Sequence, residues 1–110
     1  MEKYKNENGK VAVLISPEYG AGWSTWSDNE LAERLIFDPT LVQMVLDGRH
    51  KEINEEFINE LFNLSEDNYV YCGGVSDLRV EWLDEGENFY IDEYDGYESI
   101  VTTQNLTFTA

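Results

Sequence analysis

Val11-Ala12-Val13-Leu14-Ile15 is the longest uninterrupted apolar run in the chain, and it constrains the fold more than any other segment. The run is rich in β-branched side chains, which suit an extended backbone and pack well on a pleated surface. No polar residue alternates with the apolar ones, so the run predicts a strand buried on both faces and central in its sheet. Such a strand needs cover on both sides. A chain of 110 residues supplies one interior and not two, so that cover must come from the same domain. The run is also far shorter than the roughly 20 residues of a membrane span, and no basic start followed by an apolar stretch marks export.

The rest of the chain supplies helices and further strands. Residues 1–10 are polar and contain Asn8-Gly9, which predicts a flexible N-terminal arm ahead of a single domain over residues 11–110. Residues 16–26 carry Pro17, Gly20 and Gly22 among the aromatics Tyr19, Trp23 and Trp26, as a binding loop or a lid over the core would. Ser27 and Glu30 have capping-box spacing ahead of Leu31, Leu35 and Ile36, predicting a helix over 28–37. Asp38-Pro39 reads as an N-cap with proline at the first helical position, and Gly48 closes a second helix over 39–47. A third helix is expected over 51–64, with Ile53, Phe57, Ile58, Leu61 and Phe62 as its apolar stripe. Its other face carries Glu52, Glu56 and Glu60 at i,i+4 spacing beside Glu55, a row whose like charges cost about 0.2–0.5 kcal/mol per pair.

After this the pattern turns to β structure. A short strand is expected at 69–72, a break at Gly73-Gly74, and a half-buried strand through Leu78, Val80 and Trp82. Asp84, Glu85 and Glu87 make an acidic turn. Residues 89–94 and 97–103 flank Asp95-Gly96, the signature of a two-residue type I′ hairpin, whose central positions both need positive φ. That turn pairs Tyr94 with Tyr97, Glu93 with Glu98, Asp92 with Ser99 and Ile91 with Ile100. Leu106 and Phe108 are expected in a last edge strand. Together these elements predict an α+β fold: a small, mainly antiparallel sheet of about four to six strands, with two or three helices inserted after the first.

The register places two carboxylates, Glu93 and Glu98, opposite each other on the face of Phe89, Ile91 and Ile100. Like charges across a ladder destabilise it. Either both side chains splay into water, or the pair awaits a partner's cation. In the second case glutamine at both positions is expected to raise thermal stability and weaken binding.

Charge narrows the function. The chain has 23 acidic and 7 basic residues, a formal charge of −16. Residues 1–51 hold eight acids and six bases, whereas residues 52–110 hold fifteen acids and only Arg79. Such a surface repels nucleic acid and anionic membranes and suits a basic partner. The expectation is therefore a binding protein, not an enzyme, with no direct nucleic-acid or membrane contact. Homodimerisation is compatible with the sequence.

Catalytic and cofactor chemistry finds little support. His50 is the only histidine, in a basic turn that predicts an exposed loop side chain, and Cys72 is the only cysteine. Together they offer neither a nucleophile–base pair nor a zinc ligand set. A lone cysteine forms no internal disulfide, which fits an intracellular setting. Asp92, Asp95 and Glu98 lack the ladder of a helix-loop-helix calcium site. Gly20-Ala21-Gly22 lacks the spacing and the lysine of a phosphate loop. No cofactor or metal is expected.

Several motifs occur together: the strand 11–15 with its glycine loop, Asp38-Pro39-x-Leu41-Val42-x-x-Val45, Gly73-Gly74-x-x-x-x-Leu78-x-Val80, and Ile91-x-Glu93-Tyr94-Asp95-Gly96-x-Glu98. In these the chain resembles a family of small proteins encoded by phages and prophages, the last motif being the distinctive one. It departs from that family in the arm and in Leu83-Asp84, where relatives tend to carry a proline turn. The resemblance implies viral or prophage origin and a compact α+β fold, but it carries over no activity; with the intracellular setting expected from the lone cysteine, the expected location is the cytoplasm of a host bacterial cell.

Joined to the charge, this origin gives the leading expectation. It is an acidic inhibitor of a host nucleic-acid-binding enzyme, such as a CRISPR effector or restriction enzyme, acting by nucleic-acid mimicry. Its binding residues are expected to be Glu52, Glu55, Glu56, Glu60, Asp84, Glu85, Glu87, Asp92, Glu93, Asp95 and Glu98. A second reading makes Tyr19, Trp23 and Trp26 a loop that sequesters a small molecule or nucleotide signal. A third is a structural accessory protein.

Overall fold

The computed structural model describes residues 2–19, 22–64, 70, 72–102 and 108–110. Strand β1 (Val11–Ile15) is buried along its whole length. Its two faces feed two different cores. Ala12 and Leu14 join Trp23, Leu35, Leu41, Val42 and Ile58 beneath the helices, while Val11, Val13 and Ile15 join Ile36, Phe37, Phe89 and Ala110 on the other side. This is the two-sided burial that the apolar run predicts, but the strand is not central in its sheet as expected: its only strand partner among the described residues is the segment Arg79–Leu83.

Helices α1 (Asn29–Phe37), α2 (Pro39–Leu46) and α3 (Glu55–Phe62) follow β1, with a 3-10 turn at Ser24–Trp26 before α1 and another at His50–Glu52 before α3. The α1 cap is Asp28, whose side chain accepts from Leu31 N, and not Ser27 as the capping-box spacing suggests. Asp38 closes α1 and caps α2 by accepting from Leu41 N, with Pro39 at the first position as expected. The largest departure is in the third helix. Asn54 accepts from Phe57 N and starts α3 afresh, so that Glu52 lies in the preceding 3-10 turn and not in a helical row with Glu56 and Glu60. An asparagine that can satisfy an orphan backbone N–H favours a cap over a helix interior.

The β elements are β2 (Arg79–Leu83), β3 (Asn88–Tyr94), β4 (Tyr97–Thr102) and β5 (Phe108–Thr109). They form two sheets instead of one: an antiparallel β1-β2 pair and an antiparallel β4-β3-β5 sheet. The sheets meet where Glu98 N donates to Ser16 O at 3.1 Å. Asp95 (φ 50°) and Gly96 (φ 85°) make the left-handed turn of the hairpin, and the register, Glu93 opposite Glu98, is the one its two-residue length dictates. Phe108 takes the edge position expected of it. Leu106 and two of the four residues of the strand expected at 69–72 lie outside the described residues; the other two, Val70 and Cys72, are not in a strand.

Residues 3–10, which composition predicts as a frayed arm, fold back on the domain. Lys5 bridges to Val11, Tyr4 Oη donates to Gln43 Oε1 at 3.0 Å, and Lys3 lies over the Phe37 ring. Lys5 and Lys10 reach Glu85 and Asp84 at 2.9 and 2.7 Å.

Candidate functional site

The expected binding residues divide by environment. Glu55, Glu56 and Glu60 are exposed on α3, and Asp92, Glu93 and Asp95 are exposed along the end of β3 and its turn. Glu87 is half-buried between the acidic turn and β3. Three others are already paired within the chain. Asp84 and Glu85 hold the arm's lysines, and Glu52 takes a two-pronged contact from Arg49 at 2.7 and 2.8 Å. The Arg49 hydrogen bond holds the Glu52 carboxyl below its ordinary range, and the Asp84 hydrogen bond raises the Lys10 ammonium above its own. Exposed pairs of this kind add little stability. They do remove Glu52, Asp84 and Glu85 from the unneutralised surface.

Glu98 overturns its expected role. Its side chain is completely buried. One carboxylate oxygen accepts from Ser16 N at 2.9 Å; the other accepts from Trp23 N, Thr25 N and Thr25 Oγ1 at 2.8, 3.2 and 2.7 Å. The residue neither splays into water nor awaits a cation. It turns inward at the end of the apolar strip and ties both ends of the glycine loop to β4. Burying a carboxylate costs several kcal/mol, and four donors, each worth more to a charged acceptor than to a neutral one, offset that cost. Glu93, across the ladder, accepts instead from Gly96 N and so caps the hairpin turn.

Gly73-Gly74 belongs to the same knot. Ser16 Oγ donates to Gly74 O at 3.0 Å. A Cβ at position 74 would lie 2.2 Å from Gly22 O and 2.9 Å from Gly22 N, backbone atoms that have no rotamer with which to escape. Gly74 is therefore glycine because the loop backbone passes against it. The opening strand with its loop, the double glycine and the hairpin motif, which are far apart in sequence, converge on this one buried point.

Trp23 is not a loop residue awaiting a ligand. It is fully buried, and its indole N–H donates to Leu35 O at 2.9 Å. That carbonyl would ordinarily receive the N–H four residues on, but Asp38 turns the chain out of α1 and position 39 is proline, which has none. The tryptophan thus satisfies an acceptor that the Asp38-Pro39 junction leaves open. The backbone of Trp26 lies in the 3-10 turn; its side chain lies outside the described residues. Of the three aromatics, Tyr19 is exposed and packs on the hairpin tip, 5.1 Å from the Tyr97 ring and 6.4 Å from the Tyr94 ring between centroids.

His50 is half-buried and not exposed as its turn suggests. Its Nε2 donates to Leu78 O at 2.8 Å, which fixes the proton on that nitrogen. No cluster of three or more potential metal ligands occurs among the described residues. Burial, with Glu55 as a lesser cause, pushes the half-buried Cys72 thiol up to about 11. At pH 8 roughly one thiol in a thousand is then ionised. Alkylation is expected to be on the order of a hundredfold slower than for a free thiol, rising tenfold per pH unit up to about pH 11; a thiol-release assay across pH 7–10 checks both numbers.

Comparison with family models, with curated proteins and with solved structures finds no match to this chain.

Proposed function

We propose that this protein binds the basic, nucleic-acid-binding surface of a host enzyme and blocks it by mimicking nucleic acid, with the exposed carboxylates of α3 and the hairpin as the contact. The observation that carries the reading is the outer face of α3. Glu55, Glu56 and Glu60 are all exposed, and the helix contains no basic residue. At a 1.5 Å rise per residue they span about 7.5 Å of axis. That is close to the density of one charge per roughly 3.4 Å along a single DNA strand. The motif resemblance to phage and prophage proteins supports a host defence nuclease as the target class and the host cytoplasm as the setting.

The test is displacement of a fluorescent DNA duplex from purified restriction enzymes and CRISPR effectors. Displacement is expected at 50 mM salt and should be largely lost at 300 mM, because charge-driven contacts weaken with ionic strength. The variant E55Q/E56Q/E60Q should weaken it about tenfold, at about 0.5 kcal/mol per exposed charge. Its melting point should move little, since relief of the Glu56–Glu60 repulsion offsets the loss of Glu55 and Glu56 from the helix N-terminus. No displacement at low salt, or displacement indifferent to salt, removes the proposal in favour of an accessory role.

A further inference from the structure

We propose that Tyr19, Tyr94 and Tyr97 form a recognition patch that takes an arginine-bearing segment of the partner protein. This rests on the reading that the partner is basic, and it adds which cation is preferred and where it sits.

Among the described residues five large apolar side chains are exposed, and these three are gathered at one place. Tyr19 and Tyr94 each show 69% of their surface, so their rings contribute little to the core, whereas Tyr97, at 37%, is the partly buried base of the patch. Exposed aromatic clusters of this kind mark interaction sites, and tyrosine is enriched where binding energy concentrates. The patch is also held in place from below. Tyr94 and Tyr97 face each other across the type I′ turn, and Tyr97 adjoins Glu98, whose carboxylate fixes the loop that carries Tyr19. A buried, multiply bonded carboxylate under a loop is an expensive support. What it holds steady is the exposed Tyr19 ring against the hairpin.

Charge complementarity selects the occupant. Exposed Glu18 adjoins Tyr19, and exposed Asp95 lies between Tyr94 and Tyr97. Tyr97 also lines a groove with Arg79, Glu81, Glu98 and Ser99, so the basic residue there shares the lining with two carboxylates. A guanidinium suits aromatic faces rimmed by carboxylates, since it stacks flat and forks to an oxygen pair; the ammonium of lysine does neither.

The test uses labelled nona-arginine and nona-lysine peptides of equal charge, with affinity read by fluorescence anisotropy. The wild type should bind the arginine peptide about tenfold more tightly, as cation–π contacts at two rings imply. Y19S/Y94S should bring both peptides to one affinity, while Y19F/Y94F keeps the preference. D95N, which retains a residue suited to positive φ, removes one carboxylate to which the guanidinium can fork, and should weaken the arginine peptide more than the lysine peptide and so narrow their ratio. Unchanged melting points in all variants confirm that the fold is intact. E55Q/E56Q/E60Q should lower both affinities and leave the ratio untouched, which separates the two proposals. Loss of duplex displacement with the ratio intact sinks the mimicry, whereas a ratio near one in the wild type, or one that survives Y19S/Y94S, sinks the tyrosine patch. Sedimentation showing a dimer that Y19S/Y94S dissociates would give the patch to a second copy of the chain and overturn the proposal.

Discussion

Replacing Glu98 by glutamine lowers the stability of this domain by an expected 3 kcal/mol or so, and replacing it by alanine lowers it by about 5. Glutamine keeps the shape but turns one acceptor into an NH2 group, which must face either Ser16 N or the Trp23 and Thr25 donors. Donor against donor loses the hydrogen bond and leaves a buried N–H without a partner. Alanine strands all four donors and opens a cavity. For a domain of this size the glutamine variant should melt on the order of 10–15 °C lower, as calorimetry or circular dichroism would show. E93Q should change little beyond weakening the cap on Gly96. The cross-strand pair, viewed as a sequence pattern, predicts that neutralisation stabilises; at position 98 the structure reverses the sign. A melting point for E98Q at or above that of the wild type would refute the buried knot.

Trp23→Ala is expected to cost 3–5 kcal/mol, the usual penalty for emptying a fully buried indole site, and it also leaves Leu35 O unsatisfied at the end of α1. Trp23→Phe keeps a six-membered ring but removes the N–H together with the rest of the five-membered ring, so it should cost less than alanine, about 2–3 kcal/mol. Adding Pro39→Ala to Trp23→Phe should recover none of that loss, because Asp38 (φ −57°, ψ 121°) has already turned the chain out of α1 and the N–H at 39 belongs to the first turn of α2. Urea titrations of the three variants measure each step. If Trp23→Ala unfolds at the wild-type midpoint, the side chain is not core, and the ligand-loop reading of residues 16–26 returns.

The sequence carried some of these features openly and hid others. Asp95-Gly96 set the hairpin register because few residue pairs tolerate positive φ at both positions, and the two-residue turn leaves only one pairing. Asp38-Pro39 fixed a helix boundary for an equally local reason. The Glu52-Glu56-Glu60 row misled because spacing alone does not show that Asn54 caps, and a cap four residues into an apparent helix splits it. The charges of Asp84 and Glu85 were legible, but their pairing with Lys10 and Lys5 depends on the arm folding back, which no local pattern announces. Glu98 was hidden most deeply. Alternation correctly placed it on the apolar face, yet its four donors belong to residues more than seventy positions earlier in the chain. A glutamate on an apolar face next to a glycine-rich loop elsewhere is the only signal that could have suggested it.

The span of the Glu98 knot bears on the order in which the molecule assembles. Its bonds to Thr25, Trp23 and Ser16 bridge 73, 75 and 82 residues. The β3-β4 hairpin can form by itself in microseconds, but the carboxylate finds its donors only after the helices are packed and that large loop is closed. The knot is therefore among the last contacts made and among the first whose loss is felt. Glu98 should show a φ-value near zero, with E98Q leaving the refolding rate nearly unchanged and placing almost all of its penalty on a faster unfolding rate. The same carboxylate that holds the loop would then set how long the folded state lasts rather than how quickly it is reached, and the lifetime of the exposed tyrosine patch would follow the knot beneath it.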